Sequence, residues 1–194
     1  VADGADIIDL GGESTRPGAE TLPAGDELGR VLPVLERLVR EVDVPISIDT
    51  YKAVVARAAC ARGATIVNDI SGLLFDDELG AAIADAGAAA VLMHNRGRSR
   101  DMYKEAAYVD VVEEMSRELQ GAIDRAATAG VARDRVILDP GFGFAKRAEH
   151  SYEARANYQF DFGSAERSRI VKVGALGRAT NRDADTRAFQ ITAP

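Results

Sequence analysis

Three polar residues that could share one chemical task, Asp49, Asn68 and Asp139, each directly follow a short apolar run. If those runs are parallel strands, their carboxyl ends meet at one edge of a sheet and the three side chains enter one pocket. Carboxylates accept paired in-plane hydrogen bonds, and an amide both donates and accepts, so the set suits a flat, nitrogen-rich ring. The competing interpretation is that each residue only caps a turn. Three together favour binding, because a mouth lined with purely structural carboxylates would repel itself.

A polar loop, ESTRPG, follows the apolar run that ends at Leu10. The guanidinium of Arg16 could close over an anionic group there, with the Thr15 hydroxyl as a further donor. Taken alone, Arg16 is better explained as an exposed loop arginine.

A second glycine-rich stretch, DPGFGFAK, begins at Asp139. Phe142 and Phe144 offer apolar surface and Lys146 a cation, and we expect one of the two phenylalanines to belong to the core. His94 also follows an apolar run, and it could be a ligand, a base or a buried structural residue. Metal binding is the weakest of these options, because no second His or Cys lies nearby.

The elements that must position these residues alternate between strand and helix. Short, β-branched apolar runs are typical of strands buried on both faces of a parallel sheet. The patterns predict strands over 6–10, 45–49, 65–68, 89–93 and 136–138, and helices over 26–41, 51–62, 76–85 and 109–129. Such alternation without hairpin signals predicts an α/β fold.

The placement of polar residues decides between an open doubly wound sheet and a (β/α)8 barrel. All five predicted strands end in, or are followed at once by, hydrogen-bonding groups. A barrel gathers every strand end around one mouth, whereas an open sheet concentrates ligand groups at one switch point. The sequence therefore predicts an incomplete (β/α)8 TIM barrel of about five βα units over residues 1–150, since a whole barrel takes ~250 residues. Residues 151–194 break the pattern, apart from one candidate strand at 170–173, and form an unassigned tail.

Composition restricts the class of protein. The chain has 194 residues, 46% of them hydrophobic, and a formal net charge of −7, which argues against a nucleic-acid-binding surface. Cys60 is the only cysteine, so neither a disulfide framework nor a multi-cysteine metal site is expected. No apolar run is long enough to span a membrane and no signal-peptide pattern is present, which favours a cytoplasmic protein with no membrane partner.

Five stretches between residues 1 and 150 carry a resemblance to a known family. In chain order they read DIIDLGGESTRPGA, PISIDTYKAVVARAA, IVNDISG, VLMHNRG and ILDPGFGFAK. Together they resemble dihydropteroate synthase, the folate-pathway enzyme that sulfonamides inhibit. The resemblance implies a (β/α)8 barrel and a transferase that uses Mg²⁺. Its substrates would be 6-hydroxymethyl-7,8-dihydropterin pyrophosphate and p-aminobenzoate, and its products 7,8-dihydropteroate and pyrophosphate.

The resemblance also implies a role for each residue of the predicted ring pocket. Asp49, Asn68 and Asp139 match the family's pterin-binding positions. As pyrophosphate leaves, positive charge develops on the pterin CH₂ group, and a carboxylate at Asp49 would stabilise it in a site shielded from water. Asp49 is therefore a catalytic candidate. The resemblance gives no role to Asp9.

The loop and the glycine-rich turn match positions around the second substrate. Thr15, Arg16 and Pro17 resemble a mobile loop that orders over pyrophosphate and p-aminobenzoate, which makes Arg16 the other catalytic candidate. Phe144 resembles part of the p-aminobenzoate wall.

Departures from the family pattern leave alternatives open. The family's metal-ligand Asn would lie before Val1, and neither its Ser-Arg-Lys motif nor its closing Arg-x-His motif is found. We therefore expect no metal ligand within the chain, and we expect the chain to be inactive by itself. The full-length family is commonly homodimeric. One alternative is the pterin-binding domain of a corrinoid-dependent methyltransferase, which has no need of Arg16, and another is a non-catalytic fragment.

Overall fold

Strands and helices alternate through most of the chain in the computed structural model, which describes residues 5–16, 18–98, 106–146, 160–162 and 169–171. The strands of the main sheet are β1 Ile8–Gly11, β2 Ile46–Asp49, β3 Ile66–Asp69, β4 Ala89–Met93 and β5 Val136–Asp139. The helices between them are α1 Ala24–Glu41, α2 Ala53–Cys60, α3 Leu79–Ala86 and α4 Val111–Thr128, and a short 3₁₀ helix, Arg133–Arg135, precedes β5.

The five strands form one parallel sheet in the order β1-β2-β3-β4-β5. Each strand therefore pairs with the next one along the chain, and the order never reverses as it does in a doubly wound sheet. This arrangement confirms the α/β prediction and is that of an incomplete (β/α)8 barrel. Because all five strands are parallel, their carboxyl ends lie along one edge.

The pleat of the strands divides the sheet into an outer and an inner face. Side chains that point outward, such as Ile48, Val67 and Leu92, are fully buried in one core with residues of the helices. Residues at alternate positions point inward, and several of them are polar and only partly buried or exposed: Asp9, Asp49, Asn68 and Asp139. The helix-covered face thus supplies the stability, while the inner face carries the polar groups.

Local contacts explain where two of the helices begin. The carboxylate of Asp110 caps α4 by accepting hydrogen bonds from the backbone N–H groups of Val112 and Glu113, at 3.0 and 2.9 Å. The α2 helix begins at Ala53, two residues later than the sequence predicts. Its cap comes from another loop, because the Ala53 N–H donates to Asp76 Oδ2 at 2.7 Å.

Among the helices of the described residues, none combines the length and the apolar character that crossing a membrane requires.

The predicted tail lies almost entirely outside the described residues. Its two described segments, β6 Phe160–Phe162 and β7 Arg169–Val171, pair antiparallel. The strand predicted at 170–173 therefore begins one residue earlier, and β6 was not predicted.

Candidate active site

Three inward-pointing side chains meet at the carboxyl ends of the first three strands. Asn68 Nδ2 donates a hydrogen bond to Asp9 Oδ2 at 3.1 Å, which joins β1 to β3 across β2. Asp49 lies between them in the sheet, paired in register with Gly11 on one side and Asn68 on the other. Asp9 thus orients the amide of Asn68. Its signal in the sequence was an acidic residue within an otherwise apolar run.

Gly11 leaves room for the Asp49 carboxylate. A Cβ atom at position 11 would lie 3.3 Å from Asp49 Cβ and 3.4 Å from its Oδ2. Almost any side chain there would press on the carboxylate, so glycine keeps the space beside Asp49 open.

Asp139 faces the inner side of the sheet, and it is also the residue at which the glycine-rich turn after β5 begins. Its Oδ1 accepts a hydrogen bond from the Gly141 N–H at 2.8 Å, and its backbone carbonyl accepts one from the His94 N–H at 2.8 Å. The strand end and the turn are therefore fixed to the end of β4, and the three predicted ring-binding residues share one face and one edge.

The loop after β1 brings its polar residues to the same edge. Thr15 is partly buried and Arg16 is exposed, and the Arg16 carbonyl accepts a hydrogen bond from the Ala19 N–H at 3.0 Å. Pro17, the third predicted loop residue, lies outside the described residues.

A buried ionic cluster, which the sequence analysis missed, anchors the first residues of this loop. Lys52 Nζ forms ion pairs with two carboxylates, that of Glu13 and that of Glu27, whose Oε2 lies 2.5 Å away. The Tyr51 hydroxyl donates a hydrogen bond to Glu13 Oε1 at 2.8 Å. Burial opposes the charge on Lys52, but the hydrogen bonds to the two carboxylates prevail and raise its pKa. Burial and the bond to Glu13 raise the pKa of Tyr51 to about 12. Glu13 is thereby held next to the end of β2, two residues before Thr15.

Asp69, next to Asn68, faces outward and builds a turn. It is fully buried, and its oxygens accept hydrogen bonds from the Ser71 N–H, the Ser71 hydroxyl and the Leu73 N–H, at 2.8, 2.7 and 2.6 Å. Burial raises the pKa of Asp69 despite these three donors. Of the two polar residues that end β3, Asn68 and Asp69, only Asn68 therefore points to the inner face.

His94 is a buried structural residue. Its Nε2 lies 2.8 Å from Glu118 Oε2 on α4, and its Nδ1 lies 2.8 Å from Lys146 Nζ. Burial, and then the adjacent Lys146 cation, lower the pKa of His94 to about 4. Lys146 is only 3% exposed, so it cannot offer a cation to a ligand. The prediction that it would do so is therefore wrong.

The two phenylalanines of the glycine-rich turn occupy different places. Phe142 is partly buried and packs against the main core. Phe144 is 2% exposed and belongs to a small apolar cluster at the mouth of the sheet with Tyr51, Ile70 and Met93. The buried core phenylalanine is therefore Phe144, whereas Phe142 keeps part of its surface exposed.

The described residues form no metal-ligand cluster, and the cavity beside α4 is lined by other side chains. Within the described ranges, no three His, Cys, Asp or Glu side chains are grouped as metal ligands would be. A cavity of about 210 Å³ lies between the loop after β3, the end of β4 and α4. Residues that line it include Gly72, Asn95 and Arg125, but none of the predicted substrate-binding residues.

Comparison with protein families gives one match that covers most of the chain. The model of a family described as pterin binding enzyme matches residues 1–160. A dihydropteroate synthase of Synechocystis is 48% identical over 151 residues, which are 78% of this chain and 52% of that protein. A dihydropteroate synthase of Streptococcus pyogenes is 38% identical over an alignment of 202 positions, which includes all of this chain and 73% of that protein. That second alignment therefore also includes residues 151–194.

Solved structures agree with the sequence comparison. The dihydropteroate synthase of Xanthomonas albilineans with 4-aminobenzoic acid superimposes with a TM-score of 0.74 at 44% identity. The superposition covers 80% of this chain and 54% of that one. The chain thus spans about half the length of the Synechocystis relative and of the Xanthomonas structure.

Proposed function

The chain belongs to the pterin binding enzyme family, and from that premise we propose that its inner sheet face is the pterin site of a dihydropteroate synthase. The observation that carries the proposal is the convergence of Asp49, Asn68 and Asp139 on one face at one edge of the sheet. The reaction would join 6-hydroxymethyl-7,8-dihydropterin pyrophosphate to p-aminobenzoate. The methyltransferase alternative lacks comparable support, because the relatives named above are dihydropteroate synthases.

The pocket residues supply complementary groups for a pterin ring. The carboxylates of Asp49 and Asp139 would accept paired N–H bonds from the ring edge. Asn68 donates one N–H to Asp9, so its amide orientation is set and its carbonyl oxygen is directed away from that bond. In this proposal Asp9 is a positioning residue and the other three contact the ring.

The proposed reaction needs electrostatic stabilisation and no protein nucleophile. The C–O bond to pyrophosphate breaks with its electron pair leaving on oxygen, and the CH₂ carbon becomes positive. The pterin ring delocalises that charge, and the Asp49 carboxylate stabilises it. The amine of p-aminobenzoate then forms the C–N bond with its lone pair, and the resulting ammonium loses a proton.

The loop after β1 would act on the leaving group. Glu13 is held by Tyr51 and Lys52, so the residues that follow it extend from a fixed point. The guanidinium of Arg16 and the hydroxyl of Thr15 would bind pyrophosphate, with Pro17 beside them. The surface that Phe144 supports would receive the ring of p-aminobenzoate.

The metal, the location and the assembly remain predictions. Mg²⁺ would neutralise pyrophosphate, but the described residues do not form a ligand set for it, so no step is assigned to the metal. A cytoplasmic location rests on the sequence pattern, and a homodimer of the full-length enzyme rests on the resemblance.

Calorimetric titration of the chain with 6-hydroxymethyl-7,8-dihydropterin tests the proposed pocket. Asp49→Asn keeps the shape of the side chain and removes its charge. We expect the dissociation constant to rise by roughly 10- to 100-fold, which corresponds to about 1–3 kcal/mol for a lost buried acceptor. The affinity for p-aminobenzoate should change less.

Asp43→Asn is the matched control, because Asp43 is exposed and precedes the opposite end of β2. Its dissociation constant should equal that of the unchanged chain. A chain that binds no pterin, or an Asp49→Asn variant with unchanged affinity, would contradict the proposed function.

A further inference from the structure

A buried lysine with no role in the proposed reaction lies behind the glycine-rich turn. Lys146 is 3% exposed, and its Nζ lies within hydrogen-bond distance of three backbone carbonyl oxygens. These belong to Phe144, Gly141 and His94, at 3.1, 3.2 and 3.3 Å. Lys146 thus folds back onto the turn that it terminates and ties that turn to the end of β4.

The turn has an unusual backbone that requires such support. Gly141, Gly143 and Ala145 have φ angles of 64°, 92° and 46°, so three of its residues are left-handed and one of them has a Cβ atom. Gly141 packs so tightly on the carbonyl group of His94 that a Cβ atom there would lie 2.3 Å from the His94 oxygen. In this conformation the carbonyl groups of Gly141 and Phe144 accept hydrogen bonds from Lys146 Nζ.

A side-chain relay holds the lysine in turn. Lys146 Nζ donates to His94 Nδ1 at 2.8 Å, which fixes the His94 tautomer with its proton on Nε2. That Nε2–H donates to Glu118 on α4, which also binds the guanidinium of Arg96. Burial lowers the pKa of Lys146 to about 7, so the position disfavours the ammonium form, although the carboxylates of Asp139 and Glu118 favour it.

From this geometry we infer that Lys146 is a positioning residue that clamps the 141–145 turn against β4, with His94 and Glu118 as its support. Phe144 and the inward carboxylate of Asp139 are attached to that turn. The inference that the turn contacts p-aminobenzoate rests on the proposed function, whereas the inference of a clamp rests on the contacts of Lys146 alone. The clamp would fix the surface for p-aminobenzoate without touching the ligand.

Hydrogen exchange followed by mass spectrometry tests the clamp without any ligand. In Lys146→Met, which keeps the length and removes the donors, the backbone amides of 141–145 should exchange about tenfold faster or more. Arg125→Met is the matched control, because Arg125 also donates to a backbone carbonyl of a turn, but of a different one. Its Nε and Nη2 lie 3.0 and 2.8 Å from the Gly72 oxygen. That variant should loosen the loop after β3 and leave 141–145 unchanged. Equal exchange of 141–145 in Lys146→Met and the unchanged chain would overturn the clamp.

Ligand binding separates the clamp from the proposed function. With pyrophosphate and the pterin present, Lys146→Met should raise the dissociation constant of p-aminobenzoate about tenfold, while that of the pterin alone changes less. Unchanged p-aminobenzoate affinity despite faster exchange would overturn the functional part of the inference. If the unchanged chain binds no pterin, the proposed function fails and the exchange result still decides the clamp.

If Lys146→Met does not fold, nitrogen NMR of the unchanged chain decides. The clamp requires His94 to be neutral at pH 7, with its proton on Nε2 and an Nδ1 shift that shows a hydrogen-bond acceptor. A proton on Nδ1 would exclude the bond from Lys146 and overturn the inference.

Discussion

The buried His94 makes a sharp prediction about stability and pH. The pKa of the folded residue is about 4, against 6.5 for an unperturbed histidine. Between these values the unfolded chain binds a proton that the folded chain does not, so the free energy of unfolding falls as pH falls from 6.5 to about 4. Each pKa unit corresponds to about 1.4 kcal/mol, and the difference of about two and a half units therefore gives ~3 kcal/mol.

Two neighbours act on His94 in opposite directions. Glu118 favours the imidazolium, whereas burial and the cation of Lys146 disfavour it. The geometry explains which influence prevails. Nδ1 already accepts a hydrogen bond from Lys146, so a second ring proton would point at a cation and would have no acceptor there.

Urea unfolding at pH 7, 6, 5 and 4 measures the effect by comparison with His94→Gln, which does not titrate. Groups that do not contact His94, including His150, titrate in both proteins and largely cancel in the difference, whereas the coupling of His94 to Glu118 and Lys146 is part of the measured effect. The stability of the unchanged chain relative to the variant should fall by ~3 kcal/mol across this range and level off below pH 4. A constant difference, or one that grows on acidification, would show that folded His94 is protonated and would refute the reasoning.

Two further predictions concern the loop after β1. Arg16→Ala should weaken p-aminobenzoate binding in the presence of pyrophosphate but leave binding of the bare pterin unchanged, and calorimetry with both ligands checks this difference. Equal losses for both ligands would contradict the assignment. Lys52→Met should lower the free energy of unfolding by roughly 3–5 kcal/mol, because it leaves the buried carboxylates of Glu13 and Glu27 without their cation. Urea unfolding measures this loss, and an unchanged transition midpoint would show that the cluster is not an anchor.

The strands could be predicted from the sequence because their cores are short runs of apolar and β-branched residues. The parallel β/α order followed from their alternation with helices, and the polar strand ends favoured the barrel. The boundaries were less exact, since Gly11, Asp69 and Asp139 each extend a strand beyond the predicted end. Those residues pair with a neighbouring strand, and that pairing is not encoded in local preference.

The contacts that anchor the site could not be predicted, because they join residues far apart in the chain. Lys52 lies 39 positions from Glu13, and Lys146 lies 52 positions from His94. The helix start at Ala53 was misplaced for the same reason, since its capping carboxylate comes from Asp76. Each of these residues was visible in the sequence as a polar side chain, but its partner depends on the tertiary fold.

A polar residue at a strand end cannot be assigned to binding or to structure from its type alone. After β3, Asn68 points inward to Asp9, whereas the neighbouring Asp69 points outward and holds a turn. Strand parity separates them, because Val67 belongs to the helix-covered core and the next residue must therefore face inward. The same parity places Asp49 after the core residue Ile48 and Asp139 after the core residue Leu138. One outward apolar residue for each strand is thus sufficient to select, from all the polar strand ends, those that can face a ligand.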